Sequence, residues 1–337
     1  MVSLRRSVLE STTRETRTLM TDPAAALATA SSRFAELAAS GVPNPSHKHH
    51  EVGAAILTLC SALDRAEAAG LSQDPLRELI AVAREVHALS PFVRRLQTWS
   101  RGYQGDFETI EHLLSQENQA EPGTVGFVIE QYCLATALAQ QHRNKMQRQT
   151  NEIMKVLLRE DQSKAPSVLI LAAGSTPELR YAANFVQTRD FRVVLCDTDP
   201  GAIDFSTKAL ASLGDRVRTL EGDVVWCAES IEEQGPYDLI VAGGLFDYLD
   251  DKWAKKTLSL VLGGWLAPGG KLFFTNLATE NPFRLWMRCV VNWTVIERTE
   301  QDLVELVSSA RTSNVAVQVG RDPTTLALLA EVRLVAS

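Results

Sequence analysis

The residues best placed for chemistry lie where short apolar runs give way to turns. Val168, Leu169, Ile170 and Leu171 lead into Ala172, Ala173, Gly174, Ser175, Thr176, Pro177 and Glu178. That order predicts a buried strand, a tight turn at Gly174 and the start of a helix. A turn without side-chain bulk lets a ligand reach the backbone, and a helix N-terminus offers N–H donors that have no partner within the helix. About 20 residues further on, a second apolar run ends at Cys196, Asp197, Thr198, Asp199 and Pro200, where a doubly wound sheet places an acidic acceptor for ribose hydroxyls. The bland alternative is ordinary strand-to-helix punctuation.

The glycine pattern narrows the ligand. A dinucleotide site wants G-x-G-x-x-G because a pyrophosphate must lie against the backbone. Only Gly174 remains here, and Ala172, Ala173, Ser175 and Thr176 fill the neighbouring positions. A ligand with ribose and adenine but no phosphate fits better, and S-adenosylmethionine (SAM) is one. Glu221, Gly222, Asp223 and Val224 follow the third run: Asp223 is placed to accept the adenine amino group and the Val224 N–H to donate to a ring nitrogen, although Gly-Asp is also a common surface turn. The fourth run, from Tyr237, ends at Gly243 and Gly244, which leave room beside a sulfonium. Phe246, Tyr248 and Tyr103 are aromatic candidates for cation–π contact with that charge, and Trp286, Met287 and Trp293 read as core.

These residues need a scaffold. The chain has 337 residues, long enough for two domains at roughly 100–200 residues each. Before about residue 165 it is rich in Ala, Leu, Glu, Gln and Arg, and apolar residues recur at helical spacing, as in Leu76, Leu79, Ile80, Val82 and Ala83. Four to six helices and no strand are expected there, ending in one long helix from Val125 to Glu160. Beyond Ala165, seven short apolar runs begin at Val168, Val193, Val217, Leu239, Lys271, Val315 and Leu326. Alternating with helical segments, they predict an α/β Rossmann-like sheet of about seven strands with helices on both faces. Gly320, Arg321, Asp322 and Pro323 join the last two runs (Val315–Val319 and Leu326–Val335) into an antiparallel hairpin. The expected division is a helical cap over 1–160 and a nucleoside-binding domain over 165–337.

Composition removes several classes. Apolar residues make up 45% and charged residues 22%, which is ordinary for a folded globular chain. The net charge of −7 lacks the electrostatic footprint of a nucleic-acid binder. The five cysteines (Cys60, Cys133, Cys196, Cys227 and Cys289) form no C-x-x-C pair, so neither a zinc site nor a disulfide framework is indicated. Met1–Thr18 carries Arg5, Arg6, Arg14 and Arg17 without an apolar core, unlike a secretory signal, and no apolar stretch reaches the ~20 residues of a membrane span. The expectation is a cytoplasmic protein acting on a small molecule, with no nucleic-acid, membrane or metal partner.

The order of these elements resembles the class I SAM-dependent methyltransferases over about 170 residues. A closer resemblance is to a subgroup with a helical N-terminal domain, which includes enzymes of 3-hydroxy fatty acid methyl ester signals. It rests on Arg101–Glu108, on Gly243–Leu249, and on Asn276 with Asn281–Arg284, Asn292 and Trp293. The subgroup is similar in turn to azetidine-2-carboxylate synthases of natural-product biosynthesis, which bind SAM, close its amino group onto its own Cγ and release methylthioadenosine. The resemblance implies that Tyr103 and Asp106 face the methionine end of SAM. Asp106 is alternatively the cap of a helix beginning at Phe107. Asn276 and Arg284 are candidates to anchor an acceptor or carboxylate; Asn281 otherwise caps a helix with Pro282 in its first turn. His142, Arg143 and Asn144, with polar neighbours Gln140, Gln141 and Lys145, read as a solvated or interdomain helix face; the sharper readings are Arg143 as a carboxylate ligand and His142 as a general base.

The implied catalytic residues are thus Tyr103, Asn276 and Arg284. The implied cofactor contacts are Tyr103, Asp106, Ala172, Gly174, Asp197, Thr198, Asp223, Val224, Gly243 and Phe246. Three functions are compatible with them: methyl transfer to a small carboxylate or hydroxyl acceptor, cyclisation of SAM to azetidine-2-carboxylate, and SAM binding without catalysis.

Overall fold

The computed structural model describes residues 22–159, 164–310 and 315–334. Met1–Thr18 and Val335 lie outside the described residues. Contacts divide the chain into two compact units, and the division is not contiguous. The first unit holds the described residues up to Gly105, with Gln116–Thr136 and Pro282–Thr294. The second holds Asp106–Ser115, Ala137–Asn281 and the described residues from Val295 on.

The first unit is helical. Its helices are α1 (Pro23–Ala39), α2 (Pro45–Ala68), α3 (Gln73–Leu79), α4 (Ala81–His87), α5 (Pro91–Thr98) and α7 (Val125–Ala135); α6 (Phe107–Ser115) and α8 (Ala137–Leu157) belong to the second unit. The starts are written locally. Asp22, Asn44, Ser90 and Thr124 each accept a backbone N–H from the first turn of the helix they precede, and prolines open α1, α2 and α5. Eight helices therefore occupy the described residues up to Leu157, more than the four to six expected. Two of the extra breaks carry no glycine or proline. The chain leaves helical geometry at Ile80 (φ −102°, ψ 14°), between α3 and α4. It turns extended at Thr136 (ψ 158°), whose hydroxyl donates to the Cys133 carbonyl at 2.8 Å. The single helix expected over 125–160 is thus two. The buried Glu130 carboxylate is matched by donors from Ser90 Oγ (2.8 Å), Phe92 N (3.0 Å) and Gln119 N (2.6 Å).

The second unit is the α/β sheet. Its strands are β1 (Ser167–Leu171), β2 (Arg192–Asp197), β3 (Val217–Glu221), β4 (Tyr237–Ala242), β5 (Leu266–Leu277), β6 (Val315–Arg321) and β7 (Ala327–Leu334). They lie in the order β3-β2-β1-β4-β5-β7-β6. The first five are parallel, β7 runs antiparallel against β5, and β6 pairs with β7 as the expected hairpin. This is a Rossmann-like sheet of the class I methyltransferase type. Alternate residues of β1 and β2 feed opposite faces. Leu169, Leu171, Val194 and Cys196 pack with the helices over Asp251–Leu260 and Glu300–Ala310, whereas Val168, Ile170, Val193 and Leu195 pack with α8 and with α9 (Pro177–Val186). The strand order reverses between β1 and β4, which puts the crevice for a ligand at their carboxyl ends.

Candidate cofactor site

The turn after β1 keeps the backbone of a glycine-rich loop although only one glycine is left in it. Ala172 (φ 49°), Gly174 (φ 55°) and Thr176 (φ 47°) are all left-handed. Two of the three carry a side chain that this region penalises by about 1–2 kcal/mol per residue. Tertiary bonds hold the shape. Ala173 N donates to the Cys196 carbonyl (3.1 Å), Ser206 Oγ donates to the Gly174 carbonyl (2.8 Å), and Thr176 N closes the turn onto the Ala173 carbonyl (2.9 Å). A side chain added at Gly174 would meet only Phe107 Cβ, 3.6 Å away, so what this position demands is backbone freedom.

Asp197 locks the turn to the end of β2. Its Oδ2 accepts the Gly174 N–H at 2.7 Å and its Oδ1 accepts the Asp199 N–H at 2.8 Å. Burial raises its carboxyl above the usual range, and the two N–H bonds counter that in part. Each oxygen retains lone-pair capacity for a further donor. The Asp197 carbonyl accepts the Gly222 N–H (2.8 Å), which ties the third turn to the second. There Asp223 is exposed and accepts the Val225 N–H at 2.8 Å, while the Val224 side chain enters the core. Two residues on, Trp226 is 90% exposed, a large aromatic beside the turn expected to hold adenine. Thr198 is exposed beside Asp197.

Helix α6 approaches the same turn. Ser175 Oγ donates to Glu111 at 2.6 Å, and Arg180 pairs with the same carboxylate. The Phe107 ring lies 5.5 Å from the Phe205 ring, and the Arg180 guanidinium lies 5.2 Å from the same Phe205 ring. Glu178, in the first turn of α9, is buried, and loss of solvent pushes its carboxyl up to about 7.

Helix α8 carries a buried polar stripe of Gln141, Lys145, Gln149 and Glu152. Glu152 pairs with Lys271 of β5. The Gln149 amide lies against Gly243 where any side chain would stand, so this glycine makes room for Gln149. Lys145 meets Asp247 at 3.3 Å. Both amide atoms of Gln141 are buried without a hydrogen-bond partner. Sequence patterning missed this stripe because its polar spacing on a helix reads as a solvated face.

Comparison with known proteins concerns the fold. No family model matches the chain, and no curated protein sequence matches it. Among solved structures, a possible exported protein from Bordetella parapertussis is similar at 17% identity, covering 87% of this chain and 100% of that one, with a TM-score of 0.58. An O-methyltransferase family protein from Burkholderia thailandensis is similar at 21% identity over 62% of this chain and 63% of that one, TM-score 0.42. The magnesium protoporphyrin IX methyltransferase of Synechocystis, solved with S-adenosylhomocysteine (SAH), is similar at 10% identity over 60% and 89%, TM-score 0.44.

The remaining expected residues have structural partners. Asp106 caps α6, accepting Thr109 N at 3.0 Å, as in the alternative reading of its position. Asn276 is fully buried with its amide engaged: Nδ2 donates to the Leu277 and Ile296 carbonyls (3.0 and 2.7 Å), and Oδ1 accepts Arg298 Nη1 (2.7 Å). These bonds tie it to the end of β5 and to the 296–298 segment. Phe246 is fully buried and packs against Phe274 in the core, with ring centroids 4.4 Å apart. Tyr103 and Arg284 belong to the helical unit; Tyr103 is 40% exposed and Arg284 pairs with Glu67. Asn281 bonds Glu297 at 3.0 Å, and the chain beyond it is helical over 284–290, with Trp286–Val290 widened to a π-helical turn. Trp286, Met287 and Trp293 are buried, as a core assignment requires. On α8, Asn144 bonds Asp322 (2.7 Å) and Arg143 donates to the Leu113 carbonyl (3.0 Å).

Proposed function

We propose that the protein binds SAM and transfers its methyl group to a small carboxylate or hydroxyl acceptor. The observation that carries this reading is the bond between the Gly174 N–H and Asp197 Oδ2, which joins a left-handed turn after β1 to an acidic acceptor at the end of β2. The donor set suits a nucleoside without phosphates. Asp197 would accept ribose hydroxyls, Asp223 and the Val224 N–H would read adenine, and no further glycine frees backbone for a pyrophosphate.

The bound sulfonium supplies an activated methyl group that an oxygen nucleophile displaces in line. What the chain must add is positioning and exclusion of water. Ala172 and Gly174 leave the turn open to the ligand, Gly244 has open space where a side chain would stand, and Phe107 approaches Gly174 from α6. The reaction is tested by incubating the protein with SAM and a panel of small carboxylic acids and alcohols, and identifying the nucleoside formed. SAH that accumulates only with an acceptor is the expected result. Methylthioadenosine formed from SAM alone would replace methyl transfer by internal cyclisation. Binding of SAM without turnover would leave a non-catalytic SAM protein.

A further inference from the structure

Burying an amide without partners costs free energy that no contact within the chain returns. Gln141 is such a group: it is fully buried, and neither Oε1 nor Nε2 finds a partner. It is also not an isolated accident of packing. At about 100° per residue, Gln141, Lys145, Gln149 and Glu152 fall within an arc of roughly 80° on one face of α8.

The three other members of that arc fix where the face looks. Glu152 pairs with Lys271 on β5, Gln149 lies against Gly243 just past the end of β4, and Lys145 meets Asp247 beyond it. Moving from Glu152 toward the N-terminus of α8 therefore climbs along the strands and past their carboxyl ends. Gln141 stands one further turn up, about 6 Å beyond Lys145 along the axis. That is the side of the sheet on which ligands bind.

Several of the polar groups nearby have partners within the chain. Asp247 takes Lys145 and the Leu277 N–H, Ser175 and Arg180 take Glu111, and Asp197 takes two N–H groups. The turn itself offers Ala172, Ala173, Ser175 and Thr176, none of them charged. Gln141 differs from these in that both of its amide atoms lack a partner, and one carboxamide can serve both charges of a zwitterionic ligand end: Oε1 accepts from an ammonium and Nε2 donates to a carboxylate.

We propose that the Gln141 carboxamide binds the α-amino-carboxylate end of SAM. The inference rests on the SAM reading of this site and goes beyond it by assigning the methionine end to α8, in place of the Tyr103 and Asp106 block of the sequence expectation.

The test is calorimetric titration of the wild-type protein and Gln141→Leu with two ligands. SAH carries the amino-acid end, and methylthioadenosine shares the nucleoside and lacks that end. Wild-type protein should bind both, SAH more tightly. Gln141→Leu should lose about 10- to 100-fold in SAH affinity, the worth of one or two charge-assisted hydrogen bonds, and keep its methylthioadenosine affinity. Its ligand-free melting temperature should equal or exceed that of the wild type, because the orphan amide is gone. Should the leucine variant fail to fold, Gln141→Glu serves in its place: repulsion of the ligand carboxylate should weaken SAH and spare methylthioadenosine. Unchanged SAH affinity, or an equal loss for both ligands, overturns the role of Gln141. A wild-type protein that binds neither ligand overturns the SAM reading itself, a failure visible before any variant is made.

Discussion

Replacing Glu178 by Gln tests the electrostatics of the turn most directly. The carboxyl is buried in the first turn of α9, and desolvation pushes it up to about 7 from the 4.5 of an exposed glutamate; Arg180 offsets part of this and Glu111 adds to it. A raised acid binds its proton more tightly in the folded state than in the unfolded one. Stability is therefore greatest at low pH, falls as pH rises from about 4.5, and levels off above about 7. The raised pKa costs about 3 kcal/mol of stability at pH 8 and under about 1 kcal/mol at pH 5. Gln has the same shape and never ionises. Urea denaturation of both proteins at pH 5 and pH 8 should show Glu178→Gln gaining about 2–3 kcal/mol more at the higher pH. A gain that is the same at both pH values would show that Glu178 has found a compensating partner, and the desolvation argument would fail.

Three further outcomes follow from the site. Asp197→Ala removes the acceptor of two backbone N–H groups and the proposed ribose contact; calorimetry should show at least a ~10-fold loss for SAH and for methylthioadenosine alike, since both carry the ribose. Ala172→Gly relieves a left-handed alanine; thermal or urea unfolding should show a net gain of about 0.5–1 kcal/mol after the added chain entropy of glycine, and a loss would mean the turn is not left-handed there. Arg298→Met leaves Asn276, the Phe246 and Leu249 carbonyls and Asp251 without their shared donor, so unfolding measurements should show a loss of about 3–5 kcal/mol, with no selective effect between SAH and methylthioadenosine.

Residue order alone determined the sheet. Seven apolar runs, the turn at Gly174, Asp197 at the end of the second run and the final hairpin all follow from local periodicity, because a strand buried on both faces must be continuously apolar and a connection between parallel strands must be long. Helix starts were equally local, since a cap and the backbone N–H it accepts lie within three residues of each other. Tertiary structure decided the rest. Periodicity gives no sign of the breaks at Ile80 and Thr136, where packing overrides propensity. Ala172 and Thr176 look unlike a glycine fingerprint, yet bonds from Cys196 and Ser206 impose its backbone on them. Asn276 and Phe246 have the residue types of a site, but one amide is consumed by Arg298 and two carbonyls, and one ring is shut into the core. Gln141 reads as part of a solvated or interdomain polar face until the fold buries it without a partner. Whether a polar side chain serves the scaffold or a ligand depends on which groups from distant parts of the chain reach it first, and that is a property of the folded arrangement.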